Sequence, residues 1–337
     1  MKAYEIRDTF GVDALTVSDR PDPKPGHGQV VVNTRAVSLN FRDLLVVKGD
    51  YSRKLPLPMT PCSDCAGEVA AVGEGVTRVK VGDRVAGIFM QTWIDGEVTE
   101  AKAKSALGGA IGGVLAEQVL LHESGLVHIP AHLSFEEGAT LPCAAVTAWH
   151  ALIDEGALKP GDTVVTLGSG GVSLFALQFA KLAGARVIST SSSDEKLARL
   201  CGLGASDGIN YKTTPDWDKR VRELTGAGAD HIVEVGGAST LAKSLKAVRM
   251  GGRISLIGNV AGGGEVNPVP LLMKNVCMQG IFVGSREMFE AMNRAIAKHS
   301  LRPVVDRVFP FEQAREAMRY MESGAHFGKV CVACRTG

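Results

Sequence analysis

The stretch Thr163-Val-Val-Thr-Leu-Gly-Ser-Gly-Gly-Val-Ser173 decides the fold of this 337-residue chain. Its first five residues form a short run rich in β-branched side chains, which is typical of a strand buried in a parallel sheet. Gly168, Gly170 and Gly171 follow directly and allow a tight turn, because they lack a Cβ atom. Apolar residues then recur at helical spacing before a second apolar run at 186–190. The sequence therefore predicts a strand, a glycine turn, a helix and a second strand.

The glycine turn is a candidate dinucleotide site. A turn that opens a helix presents free N–H groups and the positive end of the helix dipole to an anion. A pyrophosphate is the usual occupant when the unit is strand–turn–helix–strand. Ser173 stands where the Gly-x-Gly-x-x-Gly pattern has its third glycine, so a purely structural turn is the alternative. The position of the turn between a strand and a helix favours dinucleotide binding.

The end of the second strand bears on which dinucleotide binds. NAD sites usually carry Asp or Glu about 20 residues after the first glycine, where the carboxylate binds the ribose hydroxyls. Here the strand leads into Ser191, Ser192 and Ser193, and Lys196 lies one helical turn further on. Hydroxyls accept a 2′-phosphate without repelling it, and Asp194 fits better as a helix N-cap or first-turn acid. The pattern favours NADPH, with NADH as the alternative.

Composition describes an ordinary globular protein, with 45% hydrophobic and 22% charged residues. The formal net charge of +1 gives no electrostatic reason to expect nucleic acid or an anionic membrane as a partner. No apolar run reaches the roughly 20 residues that span a bilayer. Residues 1–6 alternate like a strand and contain no signal-peptide core. We expect a cytoplasmic protein that acts on a small molecule.

Seven cysteines cannot all pair within one chain, which agrees with reduced thiols in the cytoplasm. Cys62/Cys65 and Cys331/Cys334 have the spacing of zinc ligands, but a four-thiolate site needs both pairs to meet. The second pair lies on a predicted terminal strand, where residues i and i+3 point to opposite faces. Small buried side chains are the favoured interpretation, and zinc is the alternative.

The pattern of strands and helices changes along the chain. Residues 1–125 are β-rich and punctuated by glycine, as in a small barrel. Residues 126–283 alternate strand with helix, as in a doubly wound parallel sheet. Two further helices and a strand are predicted in 284–337. The polar, glycine-rich segment 91–113 is predicted to be a loop or lobe that lines a substrate entrance.

Several short motifs, taken in order, are specific to one superfamily. They lie at 73–76 (Gly-Glu-Gly-Val), 81–85 (Val-Gly-Asp-Arg-Val), 141–149, 160–162 (Pro-Gly-Asp), 168–172, 251–253 (Gly-Gly-Arg) and 327–330 (Phe-Gly-Lys-Val). On these motifs the chain resembles the medium-chain dehydrogenases/reductases over essentially its full length. The resemblance implies an α/β fold: a GroES-like β-barrel catalytic domain (1–125), completed by the C-terminal segment (284–337), and a Rossmann doubly wound parallel sheet (126–283).

The resemblance also implies where the active site lies and how the protein assembles. In this superfamily the active site lies in the cleft between the two domains. The Rossmann domains pair edge to edge through the last sheet strand, which would be 276–283 here. A homodimer is expected, and a tetramer is the alternative.

Many members of that superfamily hold a catalytic zinc, so its ligand positions can be compared one at a time. The corresponding positions here are Asn40, Ser63 and Cys143, and only the last is a usual zinc ligand. The lobe that binds a structural zinc corresponds to about 88–115, which contains no cysteine. One ligand of three cannot hold a tetrahedral metal, so no metal is predicted.

Without a Lewis acid, hydride chemistry on a saturated alcohol is harder, whereas a quinone or enone carbon is already electrophilic. In its Asn-Phe-Arg-Asp and Gly-Asp-Tyr motifs the chain resembles the quinone-oxidoreductase branch. The resemblance implies that Asn40 binds the substrate or the nicotinamide, that Tyr51 donates to the substrate oxygen, and that Asp43 orients the loop. The alternatives are a turn asparagine, a packing aromatic, and a helix-surface acid paired with Arg42 or Lys48.

The resemblance also assigns a cofactor site. The residues of the turn at the pyrophosphate are Gly168, Gly170, Gly171 and Val172. The residues that face the adenosine 2′-phosphate are Ser191, Ser192, Lys196 and Tyr211. For Tyr211, a strand-end aromatic is the alternative. The residues on the nicotinamide half are Thr147, Gly258, Phe282 and Val283.

Three functions fit these features. The leading one is an NADPH-dependent, zinc-free oxidoreductase that transfers hydride to a quinone or another conjugated carbonyl. A zinc-free alcohol dehydrogenase or aldehyde reductase is the nearest alternative, since a hydroxyl such as that of Tyr51 can serve a simple carbonyl. An NADPH-binding protein without significant turnover is the third. A resemblance in fold does not name the substrate.

Overall fold

The computed structural model describes residues 1–52, 54–260, 262 and 264–334. The strands among these residues are β1 (Lys2–Glu5), β2 (Thr16–Asp19), β3 (Gln29–Ser38), β4 (Asp64–Val72), β5 (Arg84–Gly87), β6 (Gln118–His122), β7 (Leu126–His128), β8 (Thr163–Leu167), β9 (Arg186–Ser191), β10 (Asp207–Asn210), β11 (Ala229–Glu234), β12 (Val248–Leu256), β13 (Cys277–Gly280), β14 (Val305–Pro310) and β15 (Lys329–Ala333).

The α-helices are α1 (Phe41–Lys48), α2 (Glu100–Ala103), α3 (Phe135–Ala139), α4 (Val146–Trp149), α5 (Gly171–Leu182), α6 (Asp194–Leu203), α7 (Trp217–Thr225), α8 (Ala238–Ala247), α9 (Val269–Met273), α10 (Arg286–His299) and α11 (Ala314–Glu322). Two π-helical turns, Leu141–Ala145 and His150–Asp154, flank α4. Across the described ranges, no helix combines the length and the apolarity that crossing a membrane requires.

Strands β8 to β13 form a six-stranded parallel sheet in the order β10-β9-β8-β11-β12-β13. In terms of sequence order within the sheet this is 3-2-1-4-5-6, the order of a Rossmann sheet. Its central side chains are aliphatic and buried, among them Val165, Ile188, Ile232 and Ile254. Burial by helices on both faces explains why these strands are continuous apolar runs in the sequence. The predicted doubly wound parallel sheet is confirmed.

The last strand of that sheet is shorter than the predicted 276–283. Strand β13 covers only Cys277–Gly280. Val283 has a φ of 59°, in the left-handed region, which a β-branched residue seldom adopts. The chain therefore leaves the extended conformation before it reaches the end of the predicted strand.

While β1 and β2 form a separate two-stranded sheet, the other large sheet combines strands from the N-terminal part of the chain with strands from the C-terminal segment. Its strand order is β14-β15-β3-β4-β5-β7, and β6 also pairs with β3. Strands β14 and β15 run parallel, while the other pairs are antiparallel. Cys331 on β15 pairs with Ser38 on β3, so the C-terminal segment adds its strands to the β-rich N-terminal part.

By its internal contacts the chain divides into two units, Met1–Val146 with Gly284–Gly337, and Thr147–Val283. The predicted boundary after residue 125 lies earlier in the sequence than this division. Residues 126–146 belong to the first unit because β7 pairs with β5, and because α3 packs against β3 and β4.

Residues 91–113, predicted to be a loop or lobe, contain helix α2 and have a defined hydrogen-bonded structure. The Thr99 side chain caps α2 by accepting from the Lys102 N–H at 3.3 Å. Trp93 is buried, and its carbonyl accepts from the N–H of Arg286 at the start of α10. The segment is thus tied to the C-terminal part of the first unit.

Candidate active site

Asn40 and Asp43 lie together where β3 passes into α1. Asn40 is the N-cap of α1 and is half-buried, and its N–H donates to Asp43 Oδ2 at 2.8 Å. Asp43 is fully buried, so it is not an acid on the helix surface; it fixes the turn that carries Asn40. Burial, together with the Asp64 carboxylate, raises the pKa of Asp43 to about 7, although Arg42 acts in the opposite direction.

The three positions that correspond to zinc ligands are connected through Asp64. The Ser63 hydroxyl donates to Asp64 Oδ1 at 2.7 Å, and the Cys143 N–H donates to Asp64 Oδ2 at 3.0 Å. The Asn40 amide nitrogen lies 3.5 Å from Ser63 Oγ. Burial raises the pKa of Asp64, while Lys329 and the hydrogen bond from Ser63 oppose this rise.

Lys329 is a member of this group that the sequence did not single out as functional. It begins β15, its side chain is buried, and its ammonium donates to Leu39 O at 2.6 Å and Asn40 Oδ1 at 2.5 Å. The sequence does contain a signal for this residue, because β15 reads Lys-Val-Cys-Val-Ala and Lys329 is the one charged residue of that apolar strand. Lysine is almost never fully buried without a partner, so a charge in such a strand indicates a specific contact.

These residues do not fit a zinc ion. The donors at the three positions are an amide, a hydroxyl and a thiol whose pKa is raised by burial and by Asp64. The amide oxygen of Asn40 already accepts from the Lys329 ammonium, whose positive charge repels a cation. Within the part of the chain that the structure describes, no three His, Cys, Asp or Glu side chains are grouped so that they could hold a metal.

Tyr51 lies beyond the C-terminus of α1 and is exposed. Its ring centre is 4.9 Å from the Arg42 guanidinium carbon. Arg42 also lies over the ring of Phe89, at 4.7 Å, and donates to Leu107 O at 2.8 Å. Tyr51 is therefore a surface aromatic whose ring face packs on a fixed arginine, a contact of the cation–π type.

The glycine turn after β8 has room for a ligand. Gly168 has a φ of 75°, which favours glycine. A Cβ atom added at Gly168 or Gly170 would meet no atom within 4 Å, so open space lies beside the backbone at both positions. Gly170 caps α5 without a side-chain hydrogen bond, and the first N–H groups of a helix lack acceptors within the helix. The turn fits a pyrophosphate.

Ser173, which replaces the third glycine, is buried at the start of α5. Its hydroxyl donates to Leu167 O, the last carbonyl of β8, at 2.6 Å. A serine is tolerated here because its small side chain hydrogen-bonds the strand end that the helix packs against. The departure from the glycine pattern therefore keeps the close packing of helix and strand.

The end of β9 holds the residues predicted to face a 2′-phosphate. The Ser191 side chain is buried, and its carbonyl accepts from the Tyr211 N–H at 3.0 Å. Ser192 is half-buried and Tyr211 is exposed, so these two offer the more accessible groups. Ser193 is the N-cap of α6, accepting from the Lys196 N–H, and Asp194 is therefore its first-turn acid.

Of the residues predicted for the nicotinamide half, Thr147 begins the second unit, Phe282 and Val283 end it, and Gly258 follows β12. Thr147 is buried in α4, whereas Phe282 is exposed. The carbonyl of Val283 accepts from His150 Nδ1 at 2.8 Å, so this histidine holds a residue that has a left-handed conformation. At Gly258 a Cβ atom would lie 2.7 Å from Val235 O, which explains the glycine by a close backbone approach.

Glu234 is a second buried residue that sequence analysis missed. It ends β11, which neighbours β8 in the sheet. Its Oε1 accepts from the N–H groups of Gly236 and Gly237 and from Thr240 Oγ1, while Ser244 donates to Oε2. A carboxylate bonded in this way fixes the loop after β11, at the switch point where Rossmann sheets bind ligands.

Comparison with known proteins identifies the family. Residues 26–131 match the family described as alcohol dehydrogenase GroES-like domain, and residues 171–298 match that described as zinc-binding dehydrogenase. A zinc-type alcohol dehydrogenase-like protein of Schizosaccharomyces pombe is 46% identical over 337 residues, covering 97% of each protein. The chain is a medium-chain dehydrogenase/reductase. Human quinone oxidoreductase is 30% identical to this dehydrogenase/reductase over 325 residues, covering 94% of this chain and 92% of that protein.

Solved structures agree with this assignment. An NAD-dependent alcohol dehydrogenase is 37% identical, with a TM-score of 0.91 over 100% of each chain. A mycobacterial protein solved in complex with NADPH is 29% identical, with a TM-score of 0.83 over 99% of each chain. The predicted fold, a GroES-like barrel with a Rossmann sheet, is confirmed, and the protein is an oxidoreductase. One of these structures is named for NAD and the other contains NADPH. They therefore do not determine which of the two cofactors this chain prefers.

Proposed function

We propose that this dehydrogenase/reductase uses NADPH to reduce quinones or other conjugated carbonyls, such as enones, without a metal. The observation that carries the proposal is the contact between Lys329 and Asn40. At the position of the family's first zinc ligand this chain has an amide, and its oxygen accepts from a buried ammonium. Such a site offers hydrogen-bond donors to a substrate oxygen, but no coordination sphere for a Lewis acid.

The cofactor role of the second unit is supported by the open turn after β8. The N–H groups of Gly171 and Val172 would bind the pyrophosphate at the start of α5. Ser192, Lys196 and Tyr211 would bind the 2′-phosphate, and the absence of a carboxylate at the tip of β9 removes the group that usually selects NAD. Thr147, Gly258, Phe282 and Val283 would lie along the nicotinamide half, which supplies a hydride when the cofactor is bound.

The chemistry proposed for the first unit is stabilisation of a developing oxyanion. When the β-carbon of an enone accepts a hydride, the electron pair moves to the carbonyl oxygen and an enolate forms. The Asn40 amide N–H and the Tyr51 hydroxyl are the donors proposed for that oxygen, and Asp43 keeps Asn40 in place. Solvent then supplies the proton that completes the saturated ketone. A quinone gains its two electrons and its protons by the same route.

The test is turnover by purified protein treated with a chelator, with NADPH or NADH, against a quinone, an enone and a simple aldehyde. We expect NADPH oxidation with the quinone or the enone and no gain on adding zinc. Asn40→Ala is expected to slow turnover by about 100-fold, the effect of removing one oxyanion donor, and Tyr51→Phe by less. Activity on simple aldehydes alone would favour the alcohol-dehydrogenase alternative, which the naming of similar proteins supports. Saturable NADPH binding without turnover would favour a binding protein.

We also propose a homodimer, with a tetramer as the alternative, paired through the edge of the parallel sheet. β13 is an edge strand of that sheet and all its residues are exposed. Met250, Leu272 and Met273 are each at least 69% exposed. An open strand edge beside large apolar side chains is a surface that proteins usually cover. The seven unpaired cysteines fit the reducing conditions of the cytoplasm, where we propose that the enzyme acts.

A further inference from the structure

Lys329 carries its ammonium group in a buried position, where a charge is unfavourable. Its side chain is buried, and removing a cation from water costs several kcal/mol unless partners replace the lost hydration. The partners are two carbonyl oxygens, Leu39 O at 2.6 Å and Asn40 Oδ1 at 2.5 Å, at the junction of β3 and α1. The two buried carboxyls nearby, Asp43 and Asp64, both interact with its charge. Packing alone would be served equally well by methionine or leucine, so the charge has another use.

The contact determines how the Asn40 amide is oriented. A lysine ammonium can only donate, so the atom of Asn40 that faces it has to be the oxygen. The amide nitrogen then points the other way, toward Ser63 Oγ at 3.5 Å. The Ser63 hydroxyl donates to Asp64, and the Asn40 backbone N–H donates to Asp43. Both ends of the Asn40 side chain and its backbone are therefore set by neighbours.

The charge also strengthens Asn40 as a donor. A cation bonded to the oxygen of an amide draws electrons from its nitrogen, which makes the N–H groups more strongly donating, as in other hydrogen-bond chains. The amide nitrogen has two hydrogens: it lies 3.5 Å from Ser63 Oγ, at the outer limit of a hydrogen bond, and it also interacts with the Asp64 carboxyl beside that serine. Asn40 as a whole is half-buried, so part of this residue reaches the surface of the first unit.

We infer that Lys329 is a positioning residue that orients and polarises the Asn40 amide so that it donates to the substrate oxygen as negative charge develops there. Its ammonium supplies, through one hydrogen bond, part of the positive potential that a zinc ion supplies in other members of the family. This inference rests on the proposed reduction of a conjugated carbonyl. It adds to that proposal a residue that touches neither substrate nor hydride.

Three substitutions at position 329 separate charge, hydrogen bonding and packing. Lys329→Met keeps the length of the side chain and removes both donor and charge. Lys329→Gln keeps a donor without the charge, and Lys329→Arg keeps both in a different shape. Single-turnover oxidation of NADPH with an enone is expected to slow by 10- to 100-fold in Lys329→Met, to recover partly in Lys329→Gln, and to recover further in Lys329→Arg. NADPH affinity is expected to change less than 2-fold.

The double variant with Asn40→Ala shows whether Lys329 acts through Asn40. If it does, Lys329→Met causes no further slowing once the amide is gone, because coupled residues are not additive. Additive losses would overturn the inference. A Lys329→Met defect confined to NADPH affinity would also overturn the inference, because the lysine would then be a cofactor ligand. A wild-type rate in Lys329→Gln would overturn it as well, because the charge would then not be needed.

A measurement without turnover keeps this inference separate from the proposed function. In protein labelled with 15N-asparagine, the side-chain NH2 signals of Asn40 are identified by their loss in Asn40→Ala. They are expected to move in Lys329→Met and to stay near their wild-type positions in Lys329→Arg. Unmoved signals in Lys329→Met would overturn the inference even if the wild-type enzyme reduces enones. Moved signals in a protein that reduces no enone or quinone would mean that the proposed function fails while the contact is real.

Discussion

The ionisation of Asp43 leads to a quantitative prediction about stability. Its pKa is raised from 3.8 to about 7 by burial and by Asp64. An acid with a raised pKa holds its proton more tightly in the folded state, so stability falls as the pH rises from about 4 to about 7 and levels off above that. At about 1.4 kcal/mol per pKa unit, the raised pKa of Asp43 lowers the unfolding free energy, relative to its value at acid pH, by about 4 kcal/mol at pH 8 and by roughly 2 kcal/mol at pH 5.

Asp43→Asn removes this titration and keeps an oxygen that can accept from the Asn40 N–H. The described residues offer no hydrogen-bond partner to Asp43 Oδ1, so a new NH2 group there costs about 1–3 kcal/mol at every pH. The prediction therefore concerns the change with pH. Relative to the variant, the wild type is expected to lose roughly 2–3 kcal/mol of unfolding free energy between pH 5 and pH 8. Urea unfolding followed by tryptophan fluorescence at several pH values measures this change.

Glu123→Gln is the matched control. The pKa of Glu123 is lowered, chiefly by hydrogen bonds from the Arg78 and Thr77 N–H groups, so its stabilising effect is lost only as the pH falls below 4.5. The difference between this variant and the wild type is therefore expected to stay flat from pH 5 to pH 8. An equally flat difference for Asp43→Asn would refute the argument that Asp43 ionises at a cost in a buried site.

Three further predictions concern cofactor binding and the proposed homodimer. Gly170→Ala should leave the melting temperature nearly unchanged, because the added Cβ meets no atom within 4 Å, yet weaken NADPH binding measured by fluorescence. Gly202→Ala, with equally open space on α6, should leave binding intact, and equal binding in both variants would contradict a pyrophosphate at the turn. Lys196→Ala should raise the Michaelis constant for NADPH far more than that for NADH in steady-state assays, and equal effects would remove its 2′-phosphate role. Leu272→Asp should shift the protein toward monomer in sedimentation experiments, because it places a charge on an apolar surface, and an unchanged mass would exclude that surface from the interface.

The parts of the fold with a strong local pattern could be predicted from the sequence. The glycine turn between two apolar runs identified β8, α5 and β9, and the alternation after residue 126 identified the parallel sheet. The same reasoning predicted neither α7 nor α8, where Trp217 is followed by charged residues and Ala238 by small polar ones. Each helix has only a short apolar stripe, Trp217/Val221 in α7 and Leu241/Leu245 in α8, and the residues between these positions are charged or small.

Residues 141–154 form an apolar helical segment that is irregularly wound. It contains two π-helical turns around α4, and the first of them carries Cys143, whose N–H donates to Asp64. An extra residue in a helical turn leaves little trace in the apolar spacing, because the segment is buried almost all round. The sequence could show that the segment is helical, but not how it is wound.

The candidate site was predictable in part for the same reason. Asn40 and Asp43 belong to the Asn-Phe-Arg-Asp motif, so the resemblance to the quinone-oxidoreductase branch identifies both. Lys329 and Glu234 are single charged residues at strand ends, and the sequence alone does not bring them to their partners. The contact between Lys329 and Asn40 joins residues 289 positions apart, and only the pairing of β15 with β3 creates it.

The most direct test of the proposed chemistry is where the hydride goes. Chelator-treated protein would be given an enone and NADPH that carries deuterium at the transferable position of C4, and the product would be examined by NMR. We predict a saturated ketone with deuterium on the carbon β to the carbonyl, formed at the same rate with or without added zinc. An allylic alcohol with deuterium on the former carbonyl carbon, or turnover that requires zinc, would contradict the account.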